Sequence, residues 1–154
     1  MTINELEQQL VENKLMTTYA QTALYEEAVN SIFNENNPAV IDSLIKGFHD
    51  ETENQEVMYS TLHGIEFFYK KIGPKEYIAK VFPLLTTIQP EAYGWAETFF
   101  LRLLNNEQSF NDLKTLLPNM GNDEKKLLKT FCESLSKRNP ERFAEKTDIL
   151  LALA

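Results

Sequence analysis

Residues 122–150 read NDEKKLLKTFCESLSKRNPERFAEKTDIL, and this stretch decides the fold class. Its apolar residues recur every three or four positions, the spacing of one face of an α-helix. They are Leu127, Leu128, Phe131, Leu135, Phe143, Ile149 and Leu150. Asn139-Pro140 interrupts the pattern, because asparagine caps helices and proline favours the first helical position. The stretch therefore predicts two helices joined by a short turn.

Proline and asparagine also indicate helix starts in the rest of the chain. Further helix starts or caps are expected at Asn37-Pro38, Thr52 (with Gln55 completing a capping box), Gly73-Pro74, Pro90, Asn106 and Asn122. Residues 3–33 form one long helix or two joined near Thr17 and Thr18. Pro83 falls inside an apolar pattern and should kink or shorten its helix. The chain is thus predicted to be all-α, with about eight helices.

The predicted helices fall into four pairs, which start near residues 3, 53, 91 and 122. Such pairs are typical of stacked antiparallel helical hairpins in a HEAT-like helical repeat, where each hairpin buries one face against the next. No strict sequence repeat is visible, so a compact irregular bundle is the alternative. A chain of 154 residues suits a single all-α domain covering residues 1–154.

The net charge of −8 is unevenly distributed. Residues 1–60 contain 11 carboxylates and two lysines and carry −9, whereas residues 61–154 contain 12 carboxylates and 13 basic residues and carry +1. An acidic region disfavours contact with phosphates and attracts basic partners. We therefore expect a basic protein partner and no nucleic acid.

The cellular compartment is inferred from the number of cysteines, the N-terminal sequence and the length of the apolar runs. Cys132 is the single cysteine, and the N-terminal sequence shows no secretory signal pattern. No apolar run approaches the roughly 20 residues that span a bilayer. These features predict a cytoplasmic protein without membrane contact.

Metal-ligating residues are scarce. Glu56, His63 and Glu66 share one face of a predicted helix, but a di-iron bundle needs Glu-x-x-His on two helices, and here His63-x-x-Glu66 occurs once. His49-Asp50 lacks the further histidines of a metal phosphohydrolase. A solvated polar stripe is the favoured interpretation, and we expect no metal, no cofactor and no enzymatic activity.

An acidic run is the first candidate for partner binding. It comprises Asp50, Glu51, Glu53 and Glu56, and a basic partner could dock there. The alternative is a solvated helix N-terminus, where carboxylates complement the helix dipole.

Trp95 and Arg102 are the second candidate, because they lie seven residues apart on one helix face and are residue types enriched in binding hot spots. The alternative places Trp95 in the core and pairs Arg102 with Glu97 or Glu107.

Several short motifs carry a resemblance to the bacterial immunity protein 30 family. They are EVMYS at 56–60, LH at 62–63, IEFF at 65–68, AYGWAE at 92–97 and RLLN at 102–105. The resemblance runs from about Ile41 to Phe143 and leaves the first 35 residues without a matching motif. Where the family usually shows Ala-Pro-Glu-Trp, this chain has Ala92-Tyr93-Gly94-Trp95, a departure just before the fifth predicted helix.

The resemblance implies an immunity protein that binds and occludes a cognate polymorphic toxin, contact-dependent or secreted, without chemistry of its own. Many such toxins are nucleases, whose domains are typically basic, so the acidic region fits. Two other hypotheses remain: a helical-repeat adaptor without toxin linkage, and a metal-dependent enzyme using Glu56, His63 and Glu66. The sequence does not give the oligomeric state.

Overall fold

Ten α-helices and two short 3-10 helices make up a computed structural model that describes all 154 residues and contains no strand. The all-α prediction is confirmed, and eight of the α-helices have ten or more residues. The α-helices are α1 (Ile3–Glu12), α2 (Tyr19–Phe33), α3 (Val40–Leu44), α4 (Gln55–Glu66), α5 (Phe68–Ile72), α6 (Pro74–Thr87), α7 (Tyr93–Leu104), α8 (Glu107–Leu116), α9 (Asn122–Arg138) and α10 (Pro140–Leu153). Ile45–Gly47 and Leu117–Asn119 are the 3-10 helices. No helix combines the length and apolar character needed to cross a membrane.

The chain divides into two compact units. The N-terminal unit comprises Met1–Gly73 and Thr87–Ala96, and the C-terminal unit comprises Pro74–Thr86 and Glu97–Ala154. The predicted single domain and the hairpin repeat therefore stay predictions.

The N-terminal unit packs α1 against α2, with α3 and the first 3-10 helix beside them. Its core includes the fully buried side chains of Leu10, Ile32, Ile41 and Leu44. The same core contains the phenol of Tyr25, whose hydroxyl donates to the carbonyl of Gly47 at 2.9 Å. Hydrophobic burial of this kind is the main stabilising contribution to the unit.

The C-terminal unit is built on the pairing of α9 with α10. Phe82, Phe100 and Phe131 form an aromatic cluster in its core, with centroid separations of 5.1–6.5 Å. All three rings are buried, so they contribute area burial as well as ring–ring contacts.

Two of the polar caps that the sequence indicates are present. The side chain of Asn106 accepts from the backbone N–H of Ser109 at 2.9 Å, and that of Asn139 accepts from Arg142 at 3.2 Å. Thr18 caps α2, so residues 3–33 form two helices rather than one. These caps stabilise helix starts because they satisfy amides that lack an intrahelical partner.

Four helix starts differ from the prediction. Asn54 rather than Thr52 caps α4, and Gly121 rather than Asn122 precedes α9. α7 begins three residues after Pro90, and α3 begins two residues after Pro38 because Asn37 caps a turn there instead. Pro83 does not shorten its helix, since α6 continues through it to Thr87, and the kink that was the other expectation stays a prediction.

Candidate functional site

Asp50 is held by the start of α7. Its carboxylate accepts hydrogen bonds from the backbone N–H groups of Gly94 at 2.9 Å and Trp95 at 3.2 Å. Its own N–H donates to the carbonyl of Glu91 at 2.8 Å. A carboxylate at a helix N-terminus satisfies free amides and complements the helix dipole. Asp50 therefore has a structural role that the sequence pattern did not predict.

Gly94 leaves room for that carboxylate. A Cβ atom added at position 94 would lie 3.0 Å from Oδ1 of Asp50, which is closer than ordinary van der Waals contact. Glycine at position 94 thus permits the close approach of Asp50 to α7.

Glu51, Glu53 and Glu56 have exposed side chains. Their segment is nevertheless anchored through its backbone, because the N–H of Glu51 donates to Nδ1 of His49 at 3.0 Å and that of Glu53 donates to the carbonyl of Leu15 at 2.9 Å. Glu56 lies in the first turn of α4. The three carboxylates are therefore presented to solvent from a fixed backbone and remain candidates for partner contact.

Trp95 is in the core, as the alternative interpretation of the sequence placed it, so it is not an exposed hot spot. Its side chain is 6% exposed and packs against Phe48 and Tyr59, with ring centroids 5.6 and 4.8 Å apart. Arg102 is exposed as expected, but it belongs to the C-terminal unit whereas Trp95 belongs to the N-terminal unit.

Glu97 pairs with Arg138. Glu97 is 8% exposed, and its second carboxylate oxygen has no hydrogen-bond partner. Arg138 itself is exposed, but removing it would leave the buried Glu97 carboxylate without a compensating charge, which usually destabilises a protein. This pair is thus part of the fold of the C-terminal unit.

The metal hypothesis finds no geometric support. No group of three or more His, Cys, Asp or Glu side chains is arranged to hold a metal ion. Cys132 is fully buried, and burial, assisted by the charges of Glu133 and Asp148, raises the pKa of its thiol to about 12. A thiol of this kind stays protonated and is a poor nucleophile or ligand.

The lysines of the first 60 residues both line one cavity of the N-terminal unit. Lys46 pairs with Glu7 on α1, and the ammonium of Lys14 donates to the carbonyl of Lys46 at 3.5 Å. Burial lowers the pKa of Lys14, and the charge of Glu91 opposes that effect. These lysines are therefore engaged within the fold rather than paired with Glu51, Glu53 or Glu56.

The two units differ strongly in charge. The N-terminal unit contains 13 carboxylates and four lysines and carries −9, whereas the C-terminal unit contains ten carboxylates and 11 basic residues and carries +1. All of the protein's net negative charge therefore lies on the unit that contains the acidic run.

The sequence profile of the family described as Immunity protein 30 matches residues 12–113 of the chain, about two thirds of its length. The chain belongs to the immunity protein 30 family. No curated protein and no solved structure matches the chain.

The match to the immunity protein 30 family begins and ends earlier than the motifs indicated. It starts at the end of α1 and stops in α8, so it includes α2, which carried no recognisable motif. α9 and α10 lie outside the matched region. The acidic run, α4 and Trp95 all fall inside it, so these features belong to the part of the chain that defines it as an immunity protein.

Proposed function

We propose that the protein neutralises a cognate toxin by binding a basic toxin domain, such as a nuclease domain, and occluding it in the cytoplasm of the producing cell. Family membership supports the immunity role. The observation that carries the finer proposal is the −9 charge of the N-terminal unit, with the exposed carboxylates of Glu51, Glu53 and Glu56. Inhibition then needs only tight binding and no catalytic group.

We expect the acidic surface to speed neutralisation by attracting the basic toxin domain electrostatically. Complementary charges raise the rate of association more than they add affinity, and a fast association limits the time during which free toxin acts. Exposed charges are screened over roughly 8 Å at physiological ionic strength, so the carboxylates nearest the bound toxin should dominate.

The test compares two triple charge reversals. Glu51→Lys/Glu53→Lys/Glu56→Lys changes the proposed docking surface, and Glu26→Lys/Glu27→Lys/Glu35→Lys makes the same charge change elsewhere on the N-terminal unit, at residues that are also exposed. Asp50 is left unchanged because it caps α7. The probe is a catalytically inactive form of the toxin domain encoded beside this chain, with association followed by stopped flow at about 50 and 300 mM salt.

We expect the first variant to associate about tenfold more slowly and with a weaker salt dependence, while the second changes the rate less. Equal effects of the two variants would place the docking surface elsewhere. If the wild-type protein fails to bind the toxin domain or to protect cells that express the active toxin, the proposed function is wrong.

A further inference from the structure

Three aromatic side chains form a row on the outer face of α4. Tyr59, His63 and Phe67 follow one another at intervals of four residues, the spacing that places side chains on one face of a helix. The N–H of Phe67 donates to the carbonyl of His63 at 3.0 Å, so the helical geometry extends to the last ring. Tyr59 is 41% exposed, Phe67 is 48% exposed and His63 is also exposed.

Neighbouring aromatic side chains restrict the rings of this aromatic row. Tyr59 meets buried Trp95 edge-on at 4.8 Å, and its ring centroid lies 6.3 Å from that of His63. Phe67 packs against Phe33 at 5.4 Å and Phe68 at 5.5 Å. Because these contacts already restrict the rings, a partner that binds them loses little side-chain entropy. Rigid aromatic side chains of this kind are typical of binding hot spots.

Carboxylates lie next to the aromatic row. Glu56 precedes Tyr59 by three residues on the same helix face, and Glu53 precedes the helix. An aromatic face beside a carboxylate suits a basic side chain, because the cation can stack on the ring while it pairs with the carboxylate. Within this chain Lys71 already makes such a contact with Phe67, with Nζ 5.0 Å from the ring centre, so we expect the cation of the partner at Tyr59, beside Glu56.

We propose that the aromatic row of Tyr59, His63 and Phe67, together with Glu56, is the anchor to which the cognate toxin domain binds through arginine or lysine side chains. This inference rests on the proposed immunity function. The −9 charge of the surrounding unit favours a basic occupant over a second copy of the same acidic unit. The carboxylates raise the association rate of the toxin domain, and contacts with the rings lower its dissociation rate.

Photo-crosslinking tests where the toxin lies. Benzoylphenylalanine replaces Phe67 in one variant and Tyr19 in a matched control, because Tyr19 is 97% exposed in the same unit but lies at the start of α2. The probe is the inactive toxin domain encoded beside this chain. We expect a crosslink to the toxin from position 67 and none from position 19. A complex that forms normally but crosslinks only from position 19 overturns the proposal.

Affinity measurements test whether the rings contribute binding energy. His63→Ala/Phe67→Ala should raise the Kd for the toxin domain about 10- to 100-fold, mainly through faster dissociation, while Tyr19→Ala should change it less than about twofold. Circular dichroism and thermal unfolding establish that each variant is folded.

The remaining outcomes separate the two proposals. If the wild-type protein binds and the His63→Ala/Phe67→Ala variant binds equally well, the aromatic row is not the anchor and the immunity function stands. If the wild-type protein does not bind, both proposals fail. If sedimentation shows a wild-type dimer that Phe67→Glu dissociates while toxin binding is unchanged, the row joins two copies of this chain instead.

Discussion

The carboxylate of Asp50 accepts hydrogen bonds from two backbone amides of α7, whereas those of Glu51 and Glu53 face solvent. In the sequence, these residues form one acidic run with a single expected role. They differ because Asp50 meets Gly94, a residue 44 positions away, and no local pattern encodes that contact. A charge-reversal experiment that included Asp50 would therefore change both the fold and the surface.

A double-mutant cycle tests the coupling between Asp50 and Gly94. Asp50→Ala should lower the free energy of unfolding by about 1–2 kcal/mol, the usual contribution of an N-cap, while Glu51→Ala should leave it nearly unchanged. Gly94→Ala should destabilise the wild-type protein, because its Cβ would crowd Oδ1 of Asp50. In the Asp50→Ala background, the same change should be neutral or stabilising. Additive effects in urea unfolding would contradict the coupling.

At the scale of the helices, one hydroxyl group joins three elements of the N-terminal unit. The hydroxyl of Tyr25 on α2 donates to the carbonyl of Gly47 in the first 3-10 helix and lies 3.0 Å from Oγ1 of Thr61 on α4. Burial raises the pKa of Tyr25 above its ordinary value, and the hydrogen bond with Thr61 opposes that effect. The phenol thus stays protonated and available as a donor.

Tyr25→Phe should destabilise the protein by about 1–3 kcal/mol, because it leaves the buried carbonyl of Gly47 without its donor. Tyr19→Phe is the matched control, since its side chain is 97% exposed and its hydroxyl is solvated. Chemical denaturation of both variants provides the measurement. A loss of stability below about 0.5 kcal/mol in Tyr25→Phe would mean that water replaces the hydroxyl at this position.

The sequence predicted which segments form helices, but it did not predict where several of them begin. Asn106 and Asn139 cap helices as expected, because their short side chains reach amides three residues ahead. At Thr52 the sequence signal was equally good, yet Thr52 is buried and its hydroxyl accepts from the N–H of Asn54, which caps α4 instead. Pro90 is followed by a turn in which Ala92 is buried. Local propensity was overridden wherever tertiary packing required the residue.

The candidate site was only partly predictable. The exposure of Glu51, Glu53 and Glu56 follows from their charge. The burial of Trp95 and the exposure of Phe67 do not follow from residue type, because both are large and apolar. The spacing of Tyr59, His63 and Phe67 was visible in the sequence, but whether it marks an outer or an inner face depends on what packs against α4.

At the scale of the whole molecule, the buried thiol of Cys132 reports on unfolding. With a pKa of about 12, only about one thiol in ten thousand is ionised at pH 8, and the sulfur is out of reach of solvent. We expect a disulfide reagent to react with the native protein only as fast as it unfolds, and immediately in concentrated urea. Rapid labelling in native buffer with an unchanged circular dichroism spectrum would instead indicate local opening of α9.

The contact between Asp50 and Gly94 also constrains how this lineage can evolve. Surface carboxylates such as Glu51 can change one at a time as a toxin diversifies, since nothing in the fold depends on them. Positions 50 and 94 are coupled, because a Cβ atom at 94 requires the carboxylate of Asp50 to move by a few tenths of an ångström from the amides that it caps. Relatives with glutamate at the position of Gly94 should therefore have a different residue opposite it, so that the pair changes together while the surface around it diversifies.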